Sequence, residues 1–196
     1  RKNFDANGDG IFSIAEAETV RKVDISGSDI YSIKGIEYFK NLNDINASSS
    51  KLLECDLRHN TNLKKFMFNR CDDLTQILLP EGITCITGTR TNTLSNYVNL
   101  TFGNCTSLES ITIPSSVTEI QNYAFEGCSN LKEIFCKSTT PPKGYPNMFP
   151  KTELSFGDDL VYIIDCIIYV PNTSLEAYKT AYGWETYASN IVGTDF

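Results

Sequence analysis

Phe102-Gly103-Asn104-Cys105-Thr106-Ser107-Leu108-Glu109-Ser110-Ile111 sets a Phe, a Cys, a Leu and an Ile three residues apart, and the chain writes this comb three times. Phe68, Cys71, Leu74 and Ile77 form the copy before it; Phe125, Cys128, Leu131 and Ile134 form the copy after it. A fixed apolar spacing that returns along a chain is the signature of a stacked-repeat solenoid. One such unit cannot bury its own hydrophobic edge and needs a neighbour on each side. The architecture therefore directs attention to an extended surface before a central pocket.

A finer pattern lies between the teeth. Leu42-x-x-Ile45-x-Ala47-x-x-Ser50 is followed by Leu52-x-x-Cys55-x-Leu57-x-x-Asn60, then by Leu63-x-x-Phe66-x-Phe68-x-x-Cys71, then by Leu74-x-x-Ile77-x-Leu79. The starts at 42, 52, 63 and 74 define a half-unit of 10 or 11 residues. This is the leucine-rich template, in which the x-L-x-L core forms a strand of a few residues. Val20 to Ser28 fits it early and Tyr97 to Ile113 fits it late. In the later part Leu79-Pro80 parallels Ile113-Pro114, a proline ending a first strand before a turn leads into a second. The first two combs lie 34 residues apart and the last two 23 apart. The excess equals one half-unit, which places the first and second combs on opposite faces.

Cys105 to Cys128 (CTSLESITIPSSVTEIQNYAFEGC) resembles the repeat of BspA-like leucine-rich repeat surface proteins of Bacteroides and relatives. Residues 42–79 are similar to the 21-residue repeats of related secreted, internalin-like proteins. The resemblance spans roughly residues 20–136. It implies an α/β repeat solenoid of mostly short strands, a right-handed leucine-rich repeat coil with a cap at each end. It also implies a secreted or cell-surface protein used in adhesion, without enzymatic activity.

The ends read as caps. Residues 1–19 form an N-terminal unit, 20–136 the repeats, 137–165 a Pro-rich loop or insertion, and 166–196 a C-terminal strand and helical cap. In the last unit Cys166 to Pro171 resumes the strand-proline pattern. Ser174 to Tyr182 reads as a helix ended by Gly183, with Trp184 and Tyr187 covering the last open edge. The ending YVPNTSLEAYKTAYGW resembles the usual C-terminus of the same family. The start at Arg1, without a methionine, reads as a mature or trimmed chain whose targeting segment has been removed.

One motif carries metal chemistry. Asp5-Ala-Asn7-Gly-Asp9-Gly10-Ile11-Phe12-Ser13-Ile14-Ala15-Glu16 satisfies the EF-hand loop spacing at every fixed position. Calcium takes 6–8 oxygens, and a curled 12-residue loop supplies them in order. Asp5, Asn7 and Asp9 offer side-chain oxygens, Ile11 its carbonyl, Ser13 a direct or water-mediated ligand, and Glu16 closes the site with two oxygens. Only four residues precede the loop, too few for an entering helix. The expectation is a structural Ca2+ site riveting the N-terminal cap, with a short helix from Ile14 to Val20.

Bulk properties exclude several partners. The formal net charge is −7 and no cluster of Lys and Arg exceeds two adjacent residues, so no basic stripe exists for nucleic acid. No apolar run reaches the ~18–20 residues of a membrane span. The seven cysteines are an odd number, so at least one thiol is free or pairs between chains. Their place in the repeat register suggests buried thiols inside the core, with one or more disulfides left open by spacing alone. His59, the single histidine, sits at a repeat turn; with no C-x-x-C pair either, zinc is disfavoured. A Cys55/His59 nucleophile-base pair is weakened by the template, which puts Cys55 inside. The Asn-x-Ser/Thr matches at 46, 99, 104 and 172 carry little weight in so Asn- and Ser-rich a chain.

The outward strand positions are the functional lead. They run Asp24, Asn46, Asp56, Met67, Leu78, Thr101, Thr112, Phe135 and Tyr169, from polar to apolar and aromatic. Met67, Leu78, Thr112, Phe135 and Tyr169 are the candidate ligand face for a host or matrix protein or a glycan. The alternative is a passive spacer presenting another domain of a longer surface protein.

Overall fold

The computed structural model describes residues 7–9, 11–88, 100–156 and 159–196. A short helix α1 (Ile14–Thr19) leads into strands β1 (Lys22–Asp24), β2 (Asp44–Asn46), β3 (Glu54–Asp56), β4 (Lys65–Met67) and β5 (Gln76–Leu78). Each has three residues with one inward side chain: Val23, Ile45, Cys55, Phe66 and Ile77 are all buried. The template repeats every half-coil, so from β2 to β5 successive strands alternate between two sides. β1, β2 and β4 pair in parallel on one side, and β3 pairs with β5 on the other.

The later coils add β6 (Cys85–Ile86), β7 (Ser110–Ile113), β8 (Glu119–Ile120) and β9 (Glu133–Cys136). Beyond these lie β10 (Thr152–Phe156), β11 (Asp159–Ile163), β12 (Ile167–Pro171), helix α2 (Leu175–Thr180) and β13 (Ile191–Thr194). The first side continues without regular strands, through backbone bonds from Phe68 N to Thr101 O, Phe102 N to Ala124 O and Phe125 N to Met148 O. The second side continues as the parallel ladder β7-β9-β12-β13, with β5 lying against β7. A third ladder, β6-β8, is extended by a parallel bridge from Glu119 to Lys143.

The combs occupy one register, not opposite faces. Phe68 stacks on Phe102 at 6.1 Å and Phe102 on Phe125 at 5.2 Å, while Ile111 pairs with Ile134 in the ladder. The eleven extra residues of the first interval match the span 89–99, which lies outside the described residues. The residues on either side of it, Gly88 and Leu100, form an antiparallel bridge. The same coil resumes where it paused.

Residues 137–165 also differ from a single loop. Residues 143–149 form another coil: Lys143 bonds Thr118 and Ile120, and Asn147 accepts from Tyr123 N. Met148 and Phe149 enter the core. The chain then departs as the antiparallel pair β10-β11 before β12 rejoins the second ladder. Prolines are tolerated here because the coil uses their carbonyls, which proline retains, and not the N–H it lacks. Trp184 Nε1 donates to Pro142 O at 2.7 Å, Tyr187 OH to Pro146 O at 2.9 Å, and Tyr178 OH to Ser138 O at 2.9 Å.

The C-terminal cap closes the stack as its sequence suggests. Tyr178, Trp184 and Tyr187 are each fully buried, and Phe149 meets both Trp184 and Tyr187 edge-on. An aromatic spine thus runs from Phe68 into the cap. The helix is shorter than Ser174 to Tyr182, ending at Thr180. Gly183 takes φ +82° in the turn that follows, where a Cβ would stand 2.4 Å from Tyr145 N. The strand β13, unmarked by any repeat template, adds a further rung beside β12.

All seven cysteines are free, and six are buried. In the comb, each thiol donates to a carbonyl of the preceding coil: Cys71 to Ala47 O, Cys105 to Phe68 O, Cys128 to Phe102 O, at 3.1, 3.0 and 2.9 Å. The Cys of the template is therefore a small apolar group that also satisfies a turning backbone.

Candidate functional site

The N-terminal loop curls around its own oxygens. Gly8 adopts φ +74°. Asp9 N donates to Asn7 Oδ1 at 3.0 Å and Ile11 N to Asp9 Oδ1 at 2.8 Å. Glu16 is only 7% exposed and folds back across the loop. Its Oε1 accepts from Asn7 N at 3.2 Å, and its Oε2 from Ser13 N and Oγ, each at 2.9 Å. Ser13 is also the N-cap of α1, forming a capping box with Glu16. The S-x-x-E spacing at 13–16 announces that box in the sequence. The structure thus brings Asn7, Asp9, Ser13 and Glu16 together; Ile11 is exposed beside them, and Asp5 and Gly10 lie outside the described residues. Among the described residues no group of three or more His, Cys, Asp and Glu is placed to hold a metal.

The outward row divides over two sides. Asp24, Asn46 and Met67 stand in register on β1, β2 and β4. Asp56 and Leu78 stand in register on β3 and β5. Thr112, Phe135 and Tyr169 continue on β7, β9 and β12. Met67 therefore does not share a face with Leu78, Thr112, Phe135 and Tyr169, because consecutive half-units emerge on alternate sides. Thr101, also expected outward, is 1% exposed and bonded through its hydroxyl to Thr87.

The second side gains a residue that no repeat template marks. Val192 on β13 is aligned with Tyr169 and is 45% exposed. Phe135 and Tyr169 stack at 4.7 Å with their planes 8° apart, both partly buried. Tyr169 OH donates to Glu133 Oε1 at 3.3 Å. Burial, with Glu133 beside it, raises the Tyr169 hydroxyl pKa above its ordinary value. With Thr112 on β7, the result is a largely apolar ridge with one polar tip, crossing four strands.

Cys55 cannot serve as a nucleophile. It is 3% exposed and its burial pushes the thiol pKa strongly upward, opposite to the shift a reactive thiolate needs. His59 is exposed at the turn after β3, as its position in the template suggests.

The chain matches the family described as "BspA type Leucine rich repeat region (6 copies)" over residues 25–90 and 89–156, about two thirds of its length. It belongs to this class of leucine-rich repeat proteins. Among solved structures, an internalin (inlF) from Listeria monocytogenes str. 4b F2365 is similar at 12% identity with a TM-score of 0.26. That alignment covers 94% of this chain and 65% of the internalin, so the chain spans less than two thirds of that protein's length. A likeness this small leaves the repeat assignment resting on the family match and the coil geometry. No curated protein sequence matches the chain. No helix among the described residues is long and apolar enough to cross a membrane.

Proposed function

We propose that this chain is a non-enzymatic recognition module of a secreted or cell-surface protein, and that it binds a protein partner through its second side. The observation that carries this reading is the ridge of Thr112, Phe135, Tyr169 and Val192, in register on four adjacent strands. Aromatic side chains held rigid by neighbours lose little entropy on binding and dominate interface energetics. Leu78 extends the ridge toward the N-terminus.

Tyr169→Ser and Phe135→Ser, made singly, test it against a panel of extracellular-matrix proteins and immobilised glycans. Loss of binding at unchanged melting temperature supports the ridge. Binding by both variants equal to that of the parent sinks it, and a parent that binds nothing on the panel favours the passive spacer. A glycan partner would appear as binding on the glycan arm alone.

A second reading rests on the curled loop at Asn7–Glu16. Carboxylate and amide oxygens gathered within one short loop suit a hard divalent cation, and calcium is the one whose loop spacing they satisfy. Asn7, Asp9 and Glu16, with Ser13 and Ile11 from the same loop and Asp5 before it, would hold the ion. Its role is structural, fixing α1 and the first coil.

A further inference from the structure

On the first side, coil one and coil two are zipped together: Asn43 N and Asp44 N bond Arg21 O, Ile25 N bonds Asn46 O, and Gly27 N bonds Ser48 O. The second side starts the same way, with Leu53 N to Tyr31 O at 3.3 Å. There the zipper stops. Residues 32–34 occupy the position of a strand beside β3 but form none. Two amides at the end of this stretch turn elsewhere: Lys34 N donates to Ser32 Oγ at 3.3 Å, and Gly35 N to Glu37 Oε2 at 2.8 Å.

The register with β5 fixes which groups of β3 are left. Leu57 N donates to Leu78 O and Leu53 O accepts from Thr75 N, so the odd-numbered residues of β3 face β5. The backbone N–H and C=O of Glu54 and Asp56 point the other way, into a groove of about 450 Å³. Ser32, Lys34, Glu37, Glu54, Asp56 and His59 line it, above an apolar floor that includes Ile36. An unpaired strand edge in an open slot is a template for another strand.

We propose that this groove is a β-augmentation site, in which an extended peptide of a protein partner pairs its backbone with Glu54 and Asp56. The peptide carries an apolar residue over the floor and Lys or Arg on either side. Three carboxylates face one ammonium across the lining, and Arg58 already engages one of them, Asp56, at 2.8 Å. Glu54 and Glu37 are left to meet the cationic flanks, in a chain of net charge −7. Main-chain bonds supply affinity in this mode and alternate side chains supply selection. The site shares Leu78 with the N-terminal end of the ridge but requires neither Phe135 nor Tyr169.

The test uses a fluorescein-labelled peptide, Lys-Val-Lys-Val-Lys-Val-Lys, titrated with the whole chain and followed by anisotropy. Saturable binding is expected, at least about tenfold weaker when alternate peptide amides are N-methylated, since each lost hydrogen bond strands a polar group. A Glu-Val-Glu-Val-Glu-Val-Glu peptide should bind at least about tenfold more weakly than the lysine peptide. Glu54→Pro should abolish binding without lowering the melting temperature, because it deletes an N–H that β5 does not use. Hydrogen exchange at the Glu54 amide of the unaltered protein should slow when peptide is added. No binding, indifference to N-methylation, or equal binding of the two peptides would overturn the proposal. So would self-association that buries this edge, seen by sedimentation velocity.

Discussion

The comb cysteine shows how one residue serves two demands. It is small enough for the crowded interior of a coil, and its S–H answers a carbonyl of the coil before. The consequence is measurable in alkali. Burial raises the thiol pKa of Cys55, Cys71, Cys136 and Cys166, the last to about 12. The folded chain therefore holds these protons after the unfolded chain has released them. Stability is complete below the unfolded thiol pKa of about 8.5 and falls as pH rises from there toward 12. Cys55, Cys136 and Cys166 each remove up to about 1.4 kcal/mol per pH unit in that window. Urea midpoints at pH 7.5 and 9.5 should differ sharply, and a flat profile would contradict the buried-thiol assignment. That the thiols lie inside was legible from spacing, because they fall on template positions. Their carbonyl partners were not, since those depend on which coil lies next door.

At the scale of elements, the half-unit of 10 or 11 residues is the true step of the coil, and each step changes side. It separates β4 from β5 by side, which is why Met67 left the row with Leu78. Strand β13 and the coil at residues 143–149 went unread for a different reason. Their pairing is made by backbone bonds to distant coils, and backbone bonds leave no side-chain signature. The start of α1 was legible because the S-x-x-E capping box at Ser13 and Glu16 is a local signal; the calcium role of the loop before it is a proposal. If that loop binds calcium with a Kd on the order of 10⁻⁴–10⁻³ M, 10 mM calcium adds about 1.4–2.7 kcal/mol to stability. That raises the melting temperature by roughly 3–10 °C in a chain of this size. Chelator should reverse the shift and Asp9→Ala should remove it. A melting curve indifferent to calcium would leave the curled loop as a capping device alone.

For the whole molecule, the repeat class was legible because a solenoid copies its core rule from coil to coil. Its surface was not, because outward residues obey no such rule. Ridge and groove emerged only once ladders, registers and the splayed first coil were in place. The pairing of Gly88 with Leu100 bears on the molecule in another way. A coil whose flanks pair across an extra interval measures progress by rungs, not by residues. Chain length can therefore be spliced in at this seam without shifting the pitch or twist of anything downstream. Exchanging residues 89–99 for a Gly-Ser segment twice as long should cost about 0.6 kcal/mol in loop closure, a melting shift of roughly 1–3 °C. Seen so, the irregular interval that disguised the register is a port at which foreign cargo could be carried by an undisturbed stack.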